Sequence, residues 1–142
     1  MSIKIQSIKE ADMRRLTMLI WGEAKIGKTS LVKTLPVTDE SKVLYVGADP
    51  GQLVLRDHTY SMARPNDGVW SMVYFTELAD WLRVNGGRFE FIVIDSIDEV
   101  GELVLHDLLA RGTDGRQAYG RMADFMASEF MEIDQVITNI SF

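Results

Sequence analysis

Leu16-Thr17-Met18-Leu19-Ile20-Trp21, Gly22-Glu23-Ala24-Lys25-Ile26-Gly27-Lys28-Thr29 and Ser30-Leu31-Val32-Lys33-Thr34-Leu35 follow one another without a break. The middle octet is a complete G-x-x-x-x-G-K-[ST] string, set between an apolar run that predicts a strand and a segment that predicts a helix. Strand, glycine loop and helix start must be contiguous for this loop to work, and here they are. The glycines let the backbone curl so that successive N–H groups turn inward toward phosphate oxygens. A helix beginning near Lys28 adds its unpaired N–H groups and positive dipole end. In such loops the lysine reaches the β- and γ-phosphates and the hydroxyl takes a position on Mg²⁺, roles that fall to Lys28 and Thr29. The stretch predicts a nucleoside triphosphate site.

Working outward, the apolar run Val43-Leu44-Tyr45-Val46 is bounded by turn residues, the pattern of a buried parallel strand. It ends in Gly47-Ala48-Asp49-Pro50-Gly51. Thr59 to Ala63 is a weaker strand candidate, closed by Arg64-Pro65-Asn66-Asp67-Gly68. Trp70, Val73, Tyr74, Glu77, Leu78, Trp81 and Leu82 suit a helical face, which Asn85-Gly86-Gly87 terminates. Phe89 to Ile94 is the most strand-like segment and leads into Asp95. Ile97, Val100, Leu103, Val104 and Leu108 carry helical spacing up to Gly112-Thr113-Asp114-Gly115. A further helix is predicted over Gln117 to Ile133, with Tyr119, Met122, Ala123, Met126, Phe130 and Ile133 on one side. Val136 to Phe142 reads as a last strand.

Strands alternating with helices imply a parallel sheet with crossover helices, whose ligands sit outside the carboxyl ends of the strands. The loop at 22–29, the turn at 47–51 and Asp95 all fall on that rim. Phe91-Ile92-Val93-Ile94-Asp95 has the form of a Walker B strand, in which a buried strand holds one carboxylate beside Mg²⁺. Hydrolysis also needs a group that orients the attacking water. Many related ATPases use a Glu after the Walker B Asp, but that position is Ser96 here. Asp49, at the end of the neighbouring strand, is the candidate for that role. Asp98 and Glu99 read instead as acids in the first turn of a helix.

The chain has 142 residues, a length suited to one domain, and a net charge of −6 that argues against an extended basic face for nucleic acid. Arg111, Arg116 and Arg121 form its one basic concentration and read as a solvated helix end and loop, with a local DNA patch or an arginine for a neighbouring subunit as alternatives. No cysteine is present, which excludes disulfides and thiolate metal sites and fits an intracellular protein. His58 and His106 lie far apart and read as surface or packing residues rather than metal ligands. No apolar run approaches the length of a membrane span.

Together, Gly22 to Thr29, Val46-Gly47-Ala48-Asp49-Pro50-Gly51 and Ile92-Val93-Ile94-Asp95-Ser96 resemble the phage-type AAA/RecA-like nucleotide-binding proteins. That group includes the RecA/Rad51-like single-strand annealing ATPases of bacteriophages. Trp70 and Ala118-Tyr119-Gly120-Arg121 are also similar to it, and the resemblance covers roughly residues 14–142. It implies an α/β P-loop NTPase over 16–142, with a RecA-like parallel sheet flanked by helices and short at its C-terminus, after a lead-in over 1–15. It implies ATP and Mg²⁺ as cofactors, with Gly22, Glu23, Ala24, Lys25, Ile26, Gly27, Lys28, Thr29 and Ser30 on the nucleotide and Thr29 and Asp95 on the metal. Lys28 and Asp49 would be catalytic, Asp49 standing where RecA-like proteins place a Glu. The implied role is ATP hydrolysis in DNA recombination or annealing, in the host cytoplasm, with single-stranded DNA and further copies of the chain as partners. A nucleotide-dependent binding module with little turnover is the alternative that Ser96 suggests, and a small-molecule kinase is a third reading that lacks an arginine-rich lid.

Overall fold

Two apolar runs become strands where their bounding turn residues end them. In the computed structural model, which describes residues 17–23, 25–47 and 50–139, β1 spans Val43–Gly47 and β3 spans Phe91–Asp95. A short β2, Ser61–Ala63, pairs with the other side of β1, so the strand order is β2-β1-β3. Both pairings are parallel, and the register sets Val43 opposite Phe91, Tyr45 opposite Val93 and Gly47 opposite Asp95. Parallel strands of one sheet must be joined by crossovers, and the connection from β2 to β3 carries α1, Met72–Asn85. Ser71 caps α1 by accepting from the Tyr74 N–H at 3.2 Å, and Gly86 ends it. Two more helices follow β3: α2, Ile97–Ala110, and α3, Gly115–Asn139.

Strand side chains alternate between faces, and this divides the core in two. Leu44 and Val46 join Phe75, Leu78, Ala79 and Leu82 of α1, Val100, Val104 and Leu108 of α2, and Ala118 and Ile133 of α3. Val43 and Tyr45 turn the other way, against Val32 and Leu55, with Phe91 and Val93 of β3 alongside. The helices therefore cover one face. Two short 3-10 helices, Thr29–Thr34 and Pro50–Leu55, pack against each other and supply Val32 and Leu55 to the opposite face. All of β1 is buried, whereas β3 is half-exposed along its length.

Several expectations are corrected. Residues 17–23 form no strand, and Met18, Leu19, Ile20 and Trp21 are exposed, Trp21 at 93%. A strand exists only when a neighbour completes its ladder, and no described strand pairs with this run. The helix expected after the loop is a six-residue 3-10 helix. Val136 to Asn139 continue α3 rather than forming a last strand, and residues 140–142 lie outside the described residues. Extending an existing helix adds a hydrogen bond per residue without a new nucleus, which outweighs the strand preference of Val136 and Ile137.

The buried stripe of α1 runs through Phe75, Leu78, Ala79 and Leu82, leaving Val73 and Trp81 at the surface. Likewise Ala118, not Tyr119, faces the core from α3, and Ile97 of α2 is exposed. Among the described residues, no helix is long and apolar enough to cross a membrane.

Candidate functional site

The alternation that divides the core also aims Asp95. Phe91, Val93 and Asp95 share the face of β3 that looks onto the 3-10 helix Thr29–Thr34. There the Thr29 hydroxyl donates to Asp95 Oδ2 at 2.5 Å, joining residues 66 apart in sequence. The same oxygen accepts the Tyr45 hydroxyl at 2.8 Å. Two neutral donors thus converge on one carboxylate oxygen, the charge-assisted arrangement that makes such bonds short. Asp95 is joined to Ser96 by a cis peptide bond.

The glycine loop approaches from the side of the exposed run. Lys25 is left-handed at φ 65° and Gly27 lies at φ 100°, so the chain reverses its curl within three residues. Such alternation turns backbone N–H groups toward a common centre. A side chain at Gly27 would meet nothing within 4 Å, so the requirement there is conformational and not one of space. Lys28 folds back across the loop, its Nζ donating to the carbonyls of Gly22 and Glu23 at 2.7 Å each. An ammonium has three donors, so one remains beyond these two.

The sequence singled out Thr29 and Asp95, and the fold brings them together. Lys28 is held at the mouth of the same loop, and Ser30 lies within the first turn of the 3-10 helix. Ala24 and Asp49 lie outside the described residues. Ser96 serves the fold, its hydroxyl accepting from the Glu99 N–H at 3.3 Å to cap α2, whose first turn holds Asp98 and Glu99. Arg111 is engaged with Asp107 through two contacts of 3.0 and 2.9 Å, while Arg116 and Arg121 are exposed. His58 Nδ1 lies 2.7 Å from a Glu40 carboxylate oxygen, and its ring stacks on Tyr60. The Thr59 N–H beside Glu40, and then His58, hold the Glu40 carboxyl down at about 2.

Sequence reasoning missed Tyr45, which it read only as a strand residue. The available signal was its parity: Tyr45 and Asp95 occupy matching odd positions on adjacent strands. A cleft of about 130 Å³ shares Tyr45 and is lined further by Leu55, Arg56, His58, Tyr60 and Met62.

The donor set suits a hard divalent cation: a hydroxyl and a carboxylate in direct contact, both oxygen ligands. Because the Thr29 hydroxyl gives its one proton to Asp95, its lone pairs are left for a cation. Among the described residues no cluster of three or more His, Asp or Glu side chains that could hold a metal ion is present. Mg²⁺ is commonly held in just this way, by one or two protein groups together with substrate phosphates.

A parallel α/β sheet with a glycine loop tied to the carboxyl end of a strand defines the P-loop NTPase class. The family described as AAA domain matches residues 14–142, and the chain belongs to this family of AAA-type P-loop NTPases. It is accordingly a nucleotide-binding domain. Neither the curated proteins nor the solved structures hold a significant match to it.

Proposed function

We propose that the domain is a Mg²⁺-dependent ATPase, and the Thr29–Asp95 hydrogen bond at 2.5 Å is the observation that carries this reading. It joins the phosphate loop to the strand-end carboxylate, the two parts that the reaction needs side by side. Gly22 to Ser30 wrap the triphosphate, with backbone N–H groups of the loop facing its oxygens. Lys28 exchanges the Gly22 and Glu23 carbonyls for β- and γ-phosphate oxygens and stabilises the charge that builds there. Thr29 and Asp95 would hold the Mg²⁺ that accompanies the nucleotide. When bound, the cation neutralises phosphate charge.

Asp49 is the choice for the acid that orients the attacking water. In sequence it follows Gly47 by two residues, after β1, the strand that pairs with β3. Ser96 favours a second reading, a nucleotide-gated module with little turnover, because its hydroxyl is committed to the α2 cap and it supplies no carboxylate.

The resemblance in the loop and strand-end motifs supports a setting in DNA recombination or annealing, with single-stranded DNA as effector and an arginine contributed between copies. Arg116 and Arg121 are better placed for that than Arg111, whose guanidinium is paired with Asp107. Phosphate release from ATP, with and without single-stranded DNA, tests the proposal in wild type, Lys28→Ala and Asp49→Ala. Turnover that both substitutions abolish supports it. Binding of ATP without phosphate release under every condition would leave only the gated module.

A further inference from the structure

Asp95 is held from two directions, and the nucleotide loop accounts for only one of them. The second hold comes from within the sheet. Tyr45 is 1% exposed, and its ring runs along β1 to place the hydroxyl 2.8 Å from Asp95 Oδ2. Side chains two apart on a strand share a face, so the ring must pass over residue 47. That residue is glycine, and the register sets it opposite Asp95. A Cβ at Gly47 would stand 2.9 Å from Tyr45 Cζ and 3.0 Å from the hydroxyl oxygen, and closer still to Cε1. Contacts of that kind are not tolerated, so an alanine there displaces the ring. Gly47 thus supplies the clearance through which Tyr45 reaches the carboxylate.

We infer that Tyr45, seated over Gly47, is a positioning residue that sets the rotation of the Asp95 carboxylate toward the cation site. Both hydroxyl donors land on Oδ2, leaving Oδ1 as the oxygen to which no described residue donates. Thr29 alone is a single tether, and one hydrogen bond leaves a carboxylate free to swing about its Cα–Cβ and Cβ–Cγ bonds. The Tyr45 bond, anchored in the central strand, removes that freedom and keeps Oδ1 directed away from the two hydroxyls. The partner served is the divalent cation of the bound nucleotide, so the inference rests on the proposed metal role of Thr29 and Asp95.

The test is the Mg²⁺-dependent part of nucleotide affinity, read as the ratio of dissociation constants for a non-hydrolysable ATP analogue in EDTA and in Mg²⁺. Mn²⁺ binding to the same complex, followed by electron paramagnetic resonance, gives a direct metal readout. Tyr45→Phe keeps the packing of the ring and removes only the donor. It is expected to reduce the Mg²⁺ ratio and the Mn²⁺ affinity by about ten-fold, as loss of an outer partner of a metal ligand commonly does. Affinity in EDTA should stay at the wild-type value. Gly47→Ala should show the same loss although it retains the hydroxyl, and the double variant should be no worse than either single one.

An unchanged ratio in Tyr45→Phe, with Thr29→Ala and Asp95→Ala both losing it, overturns the inference and leaves the metal reading standing. A ratio that survives in all three variants overturns the metal reading itself. Equal losses in EDTA and in Mg²⁺ would make Tyr45 a purely structural residue and also overturn the inference. Tyr45→Phe alone decides the matter if Gly47→Ala does not fold.

Discussion

Replacing Gly27 with alanine isolates the backbone conformation of the loop from everything else it does. At φ 100° an added Cβ would touch nothing within 4 Å, so the substitution introduces no clash with the fold. What it adds is the cost of holding an L residue at that angle, about 1–3 kcal/mol. The loop can escape this cost in the empty protein by abandoning its curl, since residues 17–23 before it belong to no strand. The melting temperature should therefore change little.

Bound phosphate requires the curl, and the full cost then falls on binding. An energy of about 1–3 kcal/mol corresponds to a loss of about 5- to 150-fold in affinity. Calorimetric titration with a non-hydrolysable ATP analogue and Mg²⁺ measures it. Gly68→Ala is the control: its φ is 74°, its Cβ would also meet nothing within 4 Å, and it sits in the turn that follows Pro65. That variant should lose some thermal stability and no affinity. Wild-type affinity in Gly27→Ala, or an equal loss in Gly68→Ala, would refute the argument that the left-handed curl is what holds the phosphates.

Leu82 is 0% exposed in the helix-side core, so Leu82→Ala should cost about 2–5 kcal/mol, a fall of about 7–17 °C in the melting temperature of a chain this size. Analogue affinity measured well below that transition should be unaffected, because the loop lies on the other face of the sheet. Burial pushes the Glu129 carboxyl up from 4.5, against the lowering effect of the Thr76 hydroxyl, and its Oε2 is buried with no partner among the described residues. A carboxyl raised in the folded state contributes most favourably below 4.5 and loses that contribution as pH rises through its folded value. Glu129→Gln should therefore raise the melting temperature at pH 7 relative to wild type, with the gain vanishing near pH 4.

Glu40 has the opposite sign. Held at about 2 by the Thr59 N–H and His58, its contribution is complete above 4.5 and is lost as pH falls through about 2. Glu40→Gln should flatten that part of the acid-unfolding curve, followed by urea midpoints across the window.

Much of the fold could be read from local pattern. Val43 to Val46 and Phe91 to Ile94 are unbroken apolar runs ended by turn residues, and they form β1 and β3. Ser71, Gly86, Ser96 and the Gly112–Gly115 break punctuate the helices where side-chain chemistry allows a helix to begin or end. What could not be read locally depended on distant partners. Leu16 to Trp21 has the composition of a strand, yet strand formation needs a neighbour, and composition does not supply one. Val136 to Asn139 has β-branched residues, yet a helix arriving from Gly115 extends through them.

The site shows the same division. The octet at 22–29 and the aspartate after an apolar strand could be picked out as candidates because each is a pattern of consecutive residues, and the fold brings Thr29 and Asp95 into contact. Tyr45 could not, because its contact with Asp95 depends on register, on the glycine at 47 and on a carboxylate 50 residues away. Ser96 looked like a missing catalytic acid and proved to be a helix cap.

On the function proposed above, the loop at 22–29 and Asp95 together hold a nucleoside triphosphate with its cation. Equilibrium binding of ATP in Mg²⁺ and in EDTA, for wild type, Lys28→Ala and Asp95→Ala, tests it most directly. Wild-type binding should be tight in Mg²⁺, with a large loss in Lys28→Ala under both conditions and a loss confined to Mg²⁺ in Asp95→Ala. Wild-type affinity that neither substitution weakens, or that Mg²⁺ does not strengthen, would contradict it.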